Sequence, residues 1–291
     1  MFNFIANIFG YLLNAIYGVV SNYGIAIIIF TLIVKGIMLP ISIKQQKTMK
    51  KSAKIQKEAK IIQEKYSNDQ VRQSQELMEL YKRENMSPFS GCLSSIVQII
   101  LILSVFYLVS SPLTYMKKVD PTLISSYEAE IKEERGEENL GYSEIAIIKE
   151  KGAEDSNVYI NMEFLGLDLS DIPSQNLSDW KVYVIPVLYV ITSLISMKLT
   201  TNMNTNKEET KEEIVIKKEE NANKEEKKEE QEDMMEEMNK QMRFMMPLMT
   251  VSIACIAPLG LALYWLVSNL LMIFERVVLN KFFKEGEEVN G

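Results

Sequence analysis

A lysine stands at residue 35, the twelfth position of a 20-residue run from Gly24 to Ile43 that holds no other charge. At the middle of a bilayer span a lysine costs about 2.5–3.5 kcal/mol on insertion scales, so it must face protein or water. Snorkelling is the rival reading. About 12 Å of helical rise separates Lys35 from the end of the run, too far for comfortable reach. No Asp or Glu lies inside any predicted span before Glu275. A buried lysine with no counter-ion would be very costly or would lose its proton, and a water-filled cavity is the simplest escape. Polar residues that could line it are Thr31 on the same face, Ser94, Ser95 and Gln98 in a second apolar run, Thr192 and Ser193 in a third, and Tyr264, Ser268 and Asn269 in the last. Each alone is more often a helix–helix hydrogen bond. Together with Lys35 they describe a polar groove.

Other chemistry is excluded by what is missing. The chain has no histidine, which removes the commonest general base and metal ligand. Cys92 and Cys255 both sit in apolar runs, so no disulfide framework is expected. Gly136 and Gly141 have Walker A spacing, but Tyr142 follows where a lysine is needed. No HExxH and no intramembrane Asp pair occurs, so the reading is of a non-enzyme with no cofactor and no metal.

These residues need membrane helices to hold them. Gly24–Ile43 is long enough to cross hydrocarbon about 30 Å thick. The uncharged run 91–111 is a second span, and 182–197, flanked by Trp180, Lys181 and Lys198, is a third. Phe244 to Phe274 is 31 uncharged residues, too long for one span, and Pro258-Leu259-Gly260 divides it. Five spans result: 24–43, 91–111, 182–197, 242–257 and 261–279. Residues 1–22 carry Phe2, Ile5, Phe9, Leu12, Leu13, Ile16 and Val20 at near-helical spacing with Asn3, Asn7 and Asn14 between them. They read as an amphipathic helix in the outer interface. The first charge is Lys35, so no secretory signal peptide is expected.

Charge orients the chain. Segment 44–88 has 11 Lys+Arg against 6 Asp+Glu and goes to the cytoplasm. The N-terminus and the acidic loop 112–179, with 6 against 15, then lie outside. Segment 198–241, low-complexity Lys/Glu sequence that builds no core, and the tail 280–291 lie inside. Within 44–88, Lys44 to Tyr66 and Gln70 to Asn85 read as two helices turning at Ser67-Asn68-Asp69, with Asp69 an N-cap. Met49, Ala53, Gln56 and Lys60 mark one side of the first arm; Val71, Leu77, Met78 and Tyr81 mark the second. These thin stripes predict a mobile hairpin. Its basic residues Lys47, Lys50, Lys51, Lys54, Lys57 and Lys60 could recruit RNA, anionic lipid or an acidic client tail.

The order of parts resembles the YidC family of membrane protein insertases. TLIVKGIMLPISIKQQKTMKKSAKIQ (31–56) is similar to its first conserved span and the start of its hairpin, and LYKRENMSPFSGCLSSIVQIILILSVFYLV (80–109) to the second span. FLGLDLS (164–170) resembles its outer approach to the third span, and MRFMMPLMTVSIACIAPLGLALYWLVSNL (242–270) its last two. Residues 112–160 and 205–235 do not match in detail. The resemblance implies an all-α polytopic membrane protein with a hydrophilic groove, open to cytoplasm and lipid and closed to the outside. A basic residue in the first span, here Lys35 where the family usually has Arg, attracts acidic client tails. It implies nascent membrane proteins and membrane lipids as partners, work alone or beside the Sec translocon, and no small-molecule substrate. The short outer segment and absent leader look like a Gram-positive type of plasma-membrane member. The short, non-basic tail FFKEGEEVNG leaves any ribosome contact to the hairpin. The rival class is a small transporter or channel using Lys35 as an anion site, which would usually carry an internal repeat; none joins the first and last spans.

Overall fold

The computed structural model describes residues 2–67, 69–86, 90–137, 139–204 and 249–289. Two compact units divide the chain: Met1–Val19 with Ile29–Ile147, and Val20–Ile28 with Ile148–Gly291. Four described helices are long and apolar enough to cross a membrane: Phe2–Val20, Tyr23–Thr48, Trp180–Leu199 and Leu259–Leu279.

In the first unit, α1 (Phe2–Val20) buries Ala6, Gly10 and Leu13, an i, i+4, i+7 stripe. Gly10 is required by close approach. A Cβ there would lie 1.8 Å from the Tyr115 carbonyl oxygen. Phe9 meets Phe30 edge-on at 5.6 Å. The Lys118 ammonium donates to Asn7 Oδ1 and lies 4.7 Å over the Tyr11 ring.

The helix carrying Lys35, α2 (Tyr23–Lys65), is 43 residues long, about 64 Å at helical rise. The sequence reading separates a span 24–43 from a hairpin arm 44–66; these are one continuous helix. Neither Pro40 nor the change from apolar to Lys-rich sequence ends it. Good helix formers (Lys, Gln, Glu, Ala) carry the polar half, and a span in lipid must satisfy its own backbone, which favours helix in the apolar half. It pairs with α3 (Gln70–Arg83), whose N-cap Asp69 accepts from Arg72 N at 3.0 Å.

The hairpin has a small core of Ile55, Ala59 and Leu80, flanked by Ile62, Leu77, Tyr81 and Met86. Leu77 and Tyr81, read in sequence as apolar positions of the second arm, take part in it; the other described positions of the two stripes do not. Lys60, Val71 and Met78 are exposed, and Met49, Ala53 and Gln56 lie outside the described side chains. An Arg83–Glu58 pair at 2.7 Å and a Lys51 bond to the Glu84 carbonyl cross between the arms.

After α4 (Ser90–Ser110), a π-helical turn, Leu113–Lys117, leads to α5 (Pro121–Arg135) and α6 (Ser143–Lys151). Asp120 caps α5, and Gly136 at φ +66° closes it. Glu144 is buried, and its carboxylate accepts from Leu113 N at 2.7 Å, Thr114 N at 3.0 Å and Thr114 Oγ1 at 2.6 Å. Burial pushes its pKa up, against the pull of those bonds. The loop read in sequence only as acidic thus has helices and buried apolar residues of its own, Ile124 and Ile131 among them.

In the second unit, a short antiparallel hairpin of β1 (Glu163–Phe164) and β2 (Leu167–Asp168) turns through Leu165 and Gly166, both at positive φ. It precedes α7 (Val184–Asn204). A helical segment, 249–256, ends at Ala257, and α8 (Leu259–Val289) begins just past Pro258.

Candidate functional site

The surroundings of Lys35 follow from the burial pattern along α2. Leu32, Ile33, Ile37, Leu39 and Ile41 are exposed and apolar, a surface suited to lipid. Thr31 is buried at 1% exposure, and Val34, Lys35, Met38 and Ser42 are half-buried. At helical spacing these form one stripe. Lys35 therefore lies on the arc turned away from the apolar surface, as the cost of exposing an ammonium to hydrocarbon requires. Thr31 and Lys35 are one turn apart on this stripe, and both take part in polar or electrostatic interactions. Ser42, two turns beyond Lys35, adds a hydroxyl. One residue after Lys35, Gly36 faces open space. Pro40 has no N–H, so the Gly36 carbonyl lacks its usual helical partner. That acceptor lies on the exposed arc beside the stripe, within one turn of Lys35.

The polar residues of the later spans fall in the second unit, on α7 and α8. Tyr189 and Trp265 stack with centroids 5.5 Å apart, and Arg276 Nη1 donates to the Ser196 carbonyl at 3.2 Å. Both contacts advance in the same chain direction, so α7 and α8 are parallel neighbours. Thr192 and Ser193 are half-buried on α7, and Tyr264, Ser268 and Asn269 are half-buried on α8. The Thr192 hydroxyl donates back to Tyr189 O at 2.9 Å, an ordinary intrahelical bond. The Ser268 hydroxyl oxygen is buried without a hydrogen bond of standard geometry.

Of the predicted groove residues, Lys35 and the lining residue Thr31 therefore share one stripe, and five further lining residues lie on a packed helix pair in the other unit. Ser94, Ser95 and Gln98 lie outside the described side chains. On the hairpin, Lys47, Lys51, Lys54, Lys57 and Lys60 are all exposed; Lys50 lies outside the described side chains. Among the described residues no cluster of Cys, Asp and Glu could hold a metal ion.

Sequence reasoning missed Ser42, Arg276 and Ser104. Ser42 falls at i+7 from Lys35, a spacing that marks the same helix face. Arg276 stands two residues past an uncharged run of 31, the signal that marks a charge at a span's end. Ser104 is fully buried on α4 and donates to Ile100 O at 2.8 Å. A lone serine in an apolar run gives little sequence warning of that burial.

The family model described as 60Kd inner membrane protein matches residues 15–287. A membrane protein insertase YidC of Rickettsia prowazekii (strain Madrid E) is 27% identical over 272 residues, 94% of this chain and 38% of the relative. That of Beijerinckia indica is 42% identical over 98 residues, 34% of this chain and 16% of the relative. That of Fusobacterium nucleatum is 38% identical over 106 residues, 36% of this chain and 52% of the relative. The aligned parts thus span between 16% and 52% of these relatives' own lengths.

Proposed function

The chain belongs to the 60Kd inner membrane protein family, and from that membership and the stripe bearing Lys35 we propose that it is a membrane protein insertase. It is an all-α, multi-pass membrane protein. It takes hydrophobic segments of newly made membrane proteins from the cytoplasm into the bilayer, alone or beside the Sec translocon. Lys35 is the charge that attracts an acidic client tail into a hydrophilic groove, and Thr31, Ser94, Ser95, Gln98, Thr192, Ser193, Tyr264, Ser268 and Asn269 line it. No residue is assigned a catalytic role.

The observation that carries this reading is Lys35 itself. A lysine on the protected stripe of a membrane helix needs a polar environment, and its charge selects for anions. The step energetics fit a short polar path. A client tail of modest hydrophobicity gains Coulomb attraction at low effective dielectric, and water in the groove lowers the cost of moving its carboxylates. Lysine lacks arginine's planar fork, so the attraction rests on charge rather than on bidentate geometry.

We also propose five spans with the N-terminus outside and the C-terminus in the cytoplasm. The parallel run of α7 and α8 supports an odd returning span between them, and the break at Pro258 supports where it ends. The basic hairpin recruits clients, lipid headgroups or the ribosome on the cytoplasmic side. Its exposed lysines support that role.

The test is reconstitution. Purified chain in liposomes should insert a one- or two-span client with an acidic tail, and empty liposomes should not. Equal insertion by both would overturn the reading. Cysteine labelling tests the orientation: Asn3→Cys and Ser156→Cys should react from outside, Ser67→Cys only after permeabilisation.

A further inference from the structure

The outer ends of two membrane helices begin on the same short strip of chain. A helix leaves its first N–H groups without intrahelical partners, and near lipid those groups must be satisfied by protein. At the start of α2, Tyr23 N donates to the Asn161 carbonyl at 3.0 Å. At the start of α8, Leu259 N donates to Asp171 O and Gly260 N to Leu169 O, each at 2.9 Å. All three acceptors lie within 161–171, the segment that carries the β hairpin. The packing is close as well. A Cβ on Gly24 would sit 2.5 Å from the Phe164 ring.

Two asparagines make the α2 junction reciprocal. Asn22 Oδ1 accepts from Ile25 N at 3.0 Å, capping its own helix, while its Nδ2 donates to the Glu163 carbonyl at 2.6 Å. Asn161 mirrors this arrangement. Its Nδ2 donates to the Ser21 carbonyl at 3.1 Å, and its Oδ1 accepts from Glu163 N at 3.2 Å. Each amide spends its oxygen locally and its nitrogen across to the other strand. Only an amide offers both a donor and an acceptor at that reach; aspartate has acceptors alone. Lys149 holds the far end of the strip by its 2.6 Å pair with Asp171.

We propose that Asn22 and Asn161 form a latch through which segment 161–171 keeps the outer ends of α2 and α8 shut while a client enters from the cytoplasm. The latch rests on the insertase reading for its purpose. Its geometry does not depend on it. Because α2 is continuous, seating Tyr23 also sets the level of Lys35, about 18 Å further along the helix. Asn22 and Asn161 are thus positioning residues, acting through the helix that carries the charge.

The test separates capping from latching. Asn22→Asp keeps the cap, since aspartate is as good an N-cap and its charge suits the helix N-terminus. It removes the donor to Glu163 and sets a carboxylate against a carbonyl. Asn161→Asp does the same toward Ser21. Ala26 is fully buried in the second turn of α2, so Ala26→Cys reports opening there. In a background with Cys92→Ser and Cys255→Ser, a membrane-impermeant maleimide is applied from outside. With both asparagines present, Ala26→Cys should stay unreacted. With Asn22→Asp, Asn161→Asp or both, its labelling rate should rise about tenfold or more, the change expected on losing a charge-free bond and gaining repulsion. An unchanged rate in the double variant at normal protein level would overturn the latch, as would rapid labelling with both asparagines in place. Labelling only from the cytoplasmic side would instead refute the orientation. Insertion measured in parallel keeps failure of the insertase reading distinct from failure of the latch.

Discussion

The two ends of α2 are held in different ways. At its N-terminal end, outer in the proposed orientation, the first turn is seated by backbone and amide bonds to a strip about 140 residues away in sequence, with Gly24 flush against Phe164. At its C-terminal end, cytoplasmic in the proposed orientation, the same helix pairs with α3 through Ile55, Ala59 and Leu80 and a few polar bridges, beside exposed lysines. The outer end has directional bonds that each fix a position. The inner end has little buried apolar area, and its ion pair is solvated and worth little. The proposed insertase, receiving clients from inside and closed outside, needs that asymmetry. Local opening follows where buried contacts are few, so the inner end is where motion is cheap.

The largest effect should come from emptying the inner end's core. Leu80→Ala is expected to cost the hairpin about 3 kcal/mol, the usual range for a buried leucine. Hydrogen exchange should quicken through α3 and the α2 arm and leave α7 and α8 unchanged. Loss of protection in α7 or α8 would mean the two ends are one cooperative unit, and the comparison would fail.

Gly24→Ala attacks the outer end. With a Cβ 2.5 Å from the Phe164 ring, the ring must move, at about 2 kcal/mol for overpacking. Thermal unfolding in nanodiscs should show a lower midpoint for the whole chain. A shift confined to the β hairpin would show that α2 does not depend on its seat.

Removing a single cap is a finer probe of the inner end. Asp69→Ala deletes the acceptor for Arg72 N and should destabilise α3 by about 1 kcal/mol. Exchange at the first turn of α3 should rise several-fold, and insertion should change little.

The smallest effect is a pH dependence. Burial holds the Glu144 pKa above its ordinary value, so the folded state binds a proton more readily than the unfolded chain. Stability should then be fullest below the ordinary glutamate pKa and decline as pH rises through the folded value. Glu144→Gln should flatten that slope in thermal midpoints taken between pH 4 and 7, on the usual glutamate pKa of about 4.3. A slope of opposite sign lost in Glu144→Gln would mean the three hydrogen bonds outweigh burial.

How much of this was legible in the sequence depends on the range of the interaction. Asp69 was readable as a cap because the signal is local. The protected placement of Lys35 followed from the cost of charge in hydrocarbon, which holds whatever the neighbours are. The hairpin's buried face was read only in part, Leu77 and Tyr81 correctly, because several 3.6-residue stripes fit a Lys-rich helix equally well. Only the partner arm selects Ile55 and Ala59. The continuity of α2 was missed because the onset of charge at Lys44 looks like an ending. The junction of Asn22 and Asn161 left no pattern at all, since every one of its bonds involves a backbone atom and its two sides are remote in sequence. Glu144 looked like one more acid in an acidic loop, although its partners lie some 30 residues earlier.

The most direct test of the account changes the charge at Lys35 and leaves the rest of α2 alone. Lys35→Arg, Lys35→Ala and Lys35→Glu would be compared, at matched protein level, for insertion of a single-span client with an acidic tail and of the same client with its acids neutralised. Arg should retain insertion, while Ala and Glu should lower it for the acidic client by about tenfold or more, equivalent to about 1.4 kcal/mol. The neutralised client should be much less affected. Full insertion of the acidic client by Lys35→Glu would contradict the account.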